Sequence, residues 1–221
     1  MTIQIGVCKM EITIIYDNTA VDPFLVPAWG FSCLIRHEGT TLLFDTGAEG
    51  ALLLSNMEKL GIDPESVDKV VLSHPHFDHV GGLESFLSQN SRAEVYFPDT
   101  GVPNMHSRAT LIREPQELAP GIHTTGVLSF IEQSVIVEIS NGIALISGCA
   151  HPGLKNILDA ASNYGKVKAI IGGLHDFTDF HLLRGMELIC PTHCTFYLNQ
   201  LQEMFPETCL QGGAGRKVHL E

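Results

Sequence analysis

Short apolar runs, divided by glycine- and proline-marked turns, set the pattern of this chain. Residues 11–16 (EITIIY) are β-branched and read as a strand that Asp17-Asn18 ends. Residues 33–35 and 41–44 read as paired strands around a turn at His37-Glu38-Gly39. Ala48, Ala51, Leu52, Met57 and Leu60 keep helical spacing, and Gly61 closes that helix. A wholly apolar run at 70–72 predicts a buried strand. Further strands are expected at 94–97, 121–130, 134–139, 143–146, 167–171 and 187–190, and helices at 81–89, 154–164 and 196–204. Residues 98–120 have no strong period and form the expected variable region.

The polar residues that follow these strands are not ordinary loop residues. The strand at 70–72 runs into Ser73-His74-Pro75-His76-Phe77-Asp78-His79, three imidazoles and a carboxylate within six positions. Other strands end at His151, His175 and His193, and one ends at Asp45. Strand ends from distant parts of a layered structure meet at one sheet edge, so these side chains are expected to converge. Histidine with aspartate or glutamate is the usual donor set of catalytic zinc. We expect His74, His76 and His151 to serve one divalent ion and Asp78, His79 and His193 a second. Two ions sharing a water would bring its pKa from ~15.7 toward ~7 for attack on a carbonyl or phosphoryl centre. Zinc is the expected metal, with manganese or iron as alternatives. Asp78 could also move a proton, and His175 could bind metal, donate to a substrate oxyanion or stand behind the ligands. For Asp45, a role in orienting a ligand imidazole stands about even with a plain strand-ending turn.

Composition narrows the partners. With 13 Lys+Arg against 25 Asp+Glu, the net charge is −12, which repels phosphate backbones and argues against nucleic acid. No apolar run reaches the ~18 residues of a membrane span, and no basic-then-apolar leader opens the chain. Together these features predict a cytoplasmic protein acting on a small molecule; its oligomeric state is not legible. The six cysteines suit a reducing compartment better than a disulfide framework. Cys190 and Cys194 flank His193 but lack the second pair of a zinc knuckle. His37, His106, His181 and His219 have no such context, and Leu220-Glu221 reads as a remnant outside the fold. The 221 residues carry no linker or repeat, so one domain is expected over 1–221.

The run His74-x-His76-x-Asp78-His79 before Gly81-Gly82, with Leu43-Phe44-Asp45-Thr46-Gly47 upstream, resembles the signatures of the metallo-β-lactamase superfamily. The resemblance implies an α+β fold, a four-layer αβ/βα sandwich with its metal site at the edge between two sheets, and a metal-dependent hydrolase. Trp29-Gly30-Phe31-Ser32, Gly148-Cys149-Ala150-His151-Pro152-Gly153, Gly172-Gly173-Leu174-His175 and Pro191-Thr192-His193-Cys194 are similar to one branch in particular. That branch includes archaeal dihydropterin–ribofuranosylaminobenzene phosphate synthases, so a pterin or ribosyl phosphate synthase is the alternative function. Length expected of that branch is missing between Phe97 and Gly142, which counts against a pterin. Cys149 stands where the superfamily's bridging aspartate is expected, and the resemblance makes it, or, less favoured, His123, an alternative ligand to His151. An iron-dependent redox enzyme is a second alternative, but the oxygen-reducing branch usually has a carboxylate in place of His76. A non-catalytic metal-binding role is the weakest reading.

Overall fold

The structure is a computed structural model that describes residues 10–101 and 107–221. Cys8 and His106 lie outside the described residues. In chain order the strands are β1 (Met10–Tyr16), β2 (Ser32–His37), β3 (Thr40–Phe44), β4 (Lys69–Val71), β5 (Glu94–Pro98), β6 (Thr110–Ile112), β7 (Gln116–Ala119), β8 (Ile122–Thr124), β9 (Val135–Ile139), β10 (Gly142–Ser147), β11 (Val167–Gly173), β12 (Leu188–Thr192) and β13 (Lys217–Leu220). The helices are α1 (Gly50–Lys59), α2 (Phe77–Val80), α3 (Leu83–Gln89), α4 (Leu154–Ala161) and α5 (Leu198–Met204).

Two mixed sheets form, in the orders β13-β1-β2-β3-β4-β5-β6 and β12-β11-β10-β9-β8-β7. Period-2 alternation sends one face of each strand inward. Ile12, Ile14, Phe44 and Val71 of the first sheet meet Val135, Val137, Ile146 and Ile171 of the second in one apolar layer. The opposite faces take the helices. Leu34, Leu43 and Val70 pack under Leu53 and Met57 of α1 and Phe86 of α3, while Leu145 and Ile170 pack under Ile157 of α4 and Leu201 of α5. The result is the expected α+β sandwich of four layers.

Strand direction positions the site. β3, β4 and β5 are parallel, as are β10, β11 and β12. β1 is antiparallel to β2 and β2 to β3, so β1 points the same way as β3. The C-terminal ends of β1, β3, β4 and β5, and those of β10, β11 and β12, therefore open where loops carrying chemistry gather.

The pattern misplaced a few elements. The strand expected over 121–130 stops at Thr124, because Gly126 takes a φ of 69° and a tight hairpin bridges Leu128 to Glu132. The helix expected at 81–89 is α3, starting two residues later at Leu83, and an unexpected helical turn, α2, precedes Gly81-Gly82. A Cβ there would lie 2.1 Å from Ala48 O and 2.2 Å from Thr46 O, so only glycine lets this segment sit on the β3 loop. Leu220 belongs to the fold after all, pairing with Met10, and Ser140 N and Oγ donate to Glu221 O.

Candidate metal centre

Five segments bring their side chains to one edge. His74 follows β4, and His76, Asp78 and His79 ride on the start of α2. Cys149 and His151 follow β10, His175 follows β11 and His193 follows β12. The imidazoles form a continuous array, with ring centroids 5.0 Å apart for His193–His79, 4.1 Å for His79–His74, 4.7 Å for His74–His151 and 5.1 Å for His151–His175. His76 stands 4.5 Å from His74 and 4.9 Å from His151. Two trios can present donor atoms within 4.8 Å of one another, His74 with Cys149 and His151, and His79 with Cys149 and His193. Cys149 is thus common to both, its Sγ 3.2 Å from His79 Nε2. His193 Nε2 is 3.2 Å from Asp78 Oδ2, without the geometry of a hydrogen bond.

The hydrogen bonds behind the rings assign their tautomers. Asp45 is fully buried, and its Oδ1 accepts from Ser73 N at 2.7 Å. Its Oδ2 accepts from Ser73 Oγ and from His79 Nδ1, each at 2.7 Å. The single hydroxyl proton of Ser73 is spent on Asp45, so at 2.8 Å its oxygen accepts from His74 Nδ1–H. Asn18 Oδ1 accepts from His193 Nδ1 at 2.9 Å. Each of the three rings therefore turns an Nε2 lone pair inward. Nε2 of His74, His151 and His193 and Nδ1 of His175 are buried with no protein partner. Orphaned lone pairs facing a carboxylate and a thiol repel one another and leave the rings undersatisfied. A cation removes both problems, so the residues present fit a divalent metal.

Burial and neighbouring charge act in the same sense. Burial, then the surrounding imidazoles, hold His74 neutral, and burial with His76 and His175 brings His151 down to about 4. Burial also lowers His193. For His79, burial pulls downward but the charge of Asp45 more than restores it. Burial raises the Asp78 carboxyl, yet the imidazoles of His193 and His79 outweigh it and hold it low. The Cys194 thiol beside Cys149, with burial, pushes the Cys149 thiol up. A bound cation reverses that balance for a coordinating thiol.

Backbone strain concentrates at this edge. Asp45, Ala150, His175 and His193, none of them glycine, take φ values of 57°, 60°, 45° and 45°. Such conformations cost about 1–3 kcal/mol each and persist where surrounding bonds dictate them. Two sets of such bonds have no motif to announce them. Glu132 is fully buried, and its carboxylate accepts from Gly148 N, Cys149 N and Ala150 N at 3.0–3.1 Å and from His151 N at 2.9 Å. Asp17 Oδ1 accepts from His193 N at 2.8 Å, and Asn18 Nδ2 donates to His193 O at 2.9 Å. Asp17-Asn18 looked like a plain turn because its partner lies 175 residues away from Asn18.

His123 is not brought to this array. It sits within β8, where Nε2 pairs with Glu138 Oε1 at 2.9 Å and the ring packs 4.6 Å from Tyr164. A strand interior with a glutamate on the neighbouring strand gives that imidazole a partner away from the edge. The cysteines among the described residues are free thiols. No helix of the described residues is long and apolar enough to cross a membrane.

Comparisons with known proteins agree with this fold. The chain is 28% identical to the 7,8-dihydropterin-6-methyl-4-(beta-D-ribofuranosyl)-aminobenzene-5'-phosphate synthase of Methanocaldococcus jannaschii, over 87% of this chain and 91% of that one. It is 27% identical to an uncharacterized protein of the same organism, over 83% and 90%. Among solved structures, the metal-dependent hydrolase of the beta-lactamase superfamily Tm1679 superposes with a TM-score of 0.75 at 24% identity, covering 95% of this chain and 98% of that one. The metallo-beta-lactamase fold protein YhfI of Bacillus subtilis gives 0.67 at 14% identity, over 96% and 99%. At these identities the superpositions speak for the fold alone. The model of the metallo-beta-lactamase superfamily matches residues 30–182, the span from the Trp29 loop to beyond His175, and the chain belongs to that superfamily.

Proposed function

We propose that this chain is a metal-dependent hydrolase of small molecules, its substrate an ester, a lactone or a phosphorylated compound. The observation that carries the reading is the set of inward Nε2 lone pairs of His74, His79 and His193, each fixed from behind, of which those of His74 and His193 have no protein partner and that of His79 meets only the Cys149 thiol. His74, His76 and His151 would hold one ion and Asp78, His79 and His193 the other, with Cys149 placed between them. Zinc is the metal that suits this donor set, with manganese or iron as alternatives. Bound there, a divalent ion supplies a Lewis acid that polarises a carbonyl or phosphoryl oxygen and brings the pKa of a water ligand toward ~7.

The chain's own residues do the rest. Asp45, Ser73 and Asn18 keep three imidazoles in one tautomer. Asp78, held ionised, can receive a proton from a water on the open side. The imidazole of His175, at the end of the array and with no bond fixing its tautomer, can carry its proton on Nδ1 and donate it to the oxygen that becomes negative as a substrate carbonyl is attacked. The test is metal analysis with a panel of p-nitrophenyl esters, lactones and phosphodiesters. Two equivalents of zinc and turnover that chelation abolishes are expected. Full retention of both metals by His76→Ala and Asp78→Ala would sink the ligand assignment.

A second reading follows from the methanogen relative, a synthase aligned over most of both chains. Release of pyrophosphate from a phosphoribosyl substrate would favour synthesis over hydrolysis. Bound iron with oxygen uptake would favour the redox alternative instead.

A further inference from the structure

The rings at the two ends of the imidazole array belong to no ligand set. Trp29 lies edge-on against His193 at 4.9 Å, and Phe196 lies against His175 at 5.3 Å. Both are open to solvent, at 54% and 66% exposure, and Phe77, next to His76, is at 69%. Large aromatic surface left in water around a cluster of buried polar groups marks a place where something apolar is bound. A recess lies next to the His175 end of the array. Ala150 and Leu174, the neighbours of His151 and His175, line a recess of about 250 Å³ together with Leu154, Phe177, Asp176 and Asp179. That volume accepts a six-membered ring, and its floor is aliphatic and aromatic.

The charge of the recess restricts the guest further. The ionisable groups lining it are the carboxylates of Asp176 and Asp179, with no lysine or arginine among the lining residues. The charges acting most strongly on Asp78, His151 and Cys149 are likewise imidazoles, thiols and carboxylates. A phosphorylated substrate would find no side-chain cation there to hold a second anionic group, and the chain's net charge of −12 repels it from a distance.

We infer that the recess next to His151 and His175, with Phe196 packed on His175 at its approach, is the specificity pocket of the site, and that it takes an uncharged apolar ring carried on an ester or lactone. The inference rests on the hydrolase reading and narrows it by excluding phosphorylated substrates. The ring enters beside His175 and the acyl carbon lies over the imidazole array. Trp29 borders the other end and is the sole tryptophan of the chain, so its fluorescence reports on the filled site.

The test uses the zinc-loaded full chain and three hydroxamates that differ only in the group offered to the recess. Benzohydroxamate should bind about tenfold tighter than acetohydroxamate by calorimetry, the effect of burying one ring. 4-Carboxybenzohydroxamate should bind about threefold or more weakly than benzohydroxamate, because its extra charge meets Asp176 and Asp179. Phe196→Ala should bring the phenyl preference to within about threefold while zinc content stays unchanged, and Phe196→Leu should keep most of it. Asp176→Asn should narrow the gap between the two aromatic probes. Equal affinity for benzohydroxamate and acetohydroxamate overturns the inference. So does a phenyl preference untouched by Phe196→Ala, or a carboxylated probe bound as well as the neutral one. If the preferences hold but no ester or lactone is turned over, the hydrolase reading falls and the binding pocket stands. Turnover without a phenyl preference has the opposite meaning, and a chain that takes up no zinc overturns both.

Discussion

Replacing Asp45 by Asn tests the chain of hydrogen bonds behind the ligands. The change adds no bulk and removes one acceptor. Oδ1 of the new amide still accepts from Ser73 N, but the NH2 group now faces Ser73 Oγ and His79 Nδ1, where Oδ2 had accepted from both at 2.7 Å. The amide donates to Ser73, whose hydroxyl must then donate to His74 Nδ1 instead of accepting from it. His79 can no longer keep its proton on Nδ1. Both rings move that proton to Nε2 and point N–H, not a lone pair, at the site. His74 and His79 belong to different ligand trios, so both ions should weaken. Losing the group that orients a metal-bound histidine costs about 10–100-fold in affinity, or about 1.4–2.7 kcal/mol per ion. Metal-free protein should also lose about 1.5–3 kcal/mol from the broken charge-assisted bond, a fall in Tm of roughly 3–12 °C for a chain of this size. Zinc competition against a chromophoric chelator gives the affinities, and 15N spectra of the histidines give the tautomers. Ser73→Ala is the control, since it removes the relay to His74 alone and should weaken one ion. Wild-type affinity for both ions in Asp45→Asn, or equal weakening of both in Ser73→Ala, would refute the relay.

Three other outcomes follow from the buried bonds. Asn18→Ala frees the ring and carbonyl of His193 and should lower zinc stoichiometry from two toward one, measured by elemental analysis, with the fold intact by circular dichroism. Glu132→Gln sets an amide donor against one of the four N–H groups of 148–151 and should cost about 1–3 kcal/mol, read as a Tm lower by roughly 2–12 °C, whereas Glu132→Ala strands all four and should cost more. Asp17 is raised from 3.8 to about 6, chiefly by burial. In its protonated form the folded state is favoured, so that stability is present below pH ~4 and is lost as pH rises through about 6, an effect of about 3 kcal/mol. Denaturant titrations of the metal-free chain between pH 4 and 7 should therefore show a falling limb that Asp17→Asn removes.

How much of this could be read from the sequence depends on range. The ends of β4, β10, β11 and β12 were legible because buried strands are apolar runs and their successors are ligand-type residues. The edge strands β6 and β7 were not, because Thr110, Leu111, Gln116 and Glu117 face solvent and leave no apolar run. In the sequence Asp45 suits a turn and a ring-orienting role equally, and the structure gives it both the left-handed φ and the bond to His79. Glu132 and Asn18 were invisible. Their meaning lies in partners that only the packed sheets bring near, and a single buried glutamate or a turn asparagine has no periodicity to betray it. His123 erred the other way: its distance along the chain suited a ligand, but the alternation of β8 placed it on a face with Glu138.

The bonds at the strand ends cross between the sheets. Asn18, from the end of β1, holds His193 after β12, and Gln133, just before β9, donates through N to Ser73 O and through Nε2 to Leu72 O. Each half of the molecule thus aims the other half's ligands, across gaps of up to 175 residues whose closure is entropically costly. Neither half alone brings the proposed ligand set together. Under the proposed zinc centre, metal uptake would report the docking of the two sheets. In a chain cut between β6 and β7, it would be the signal that the fragments had found each other.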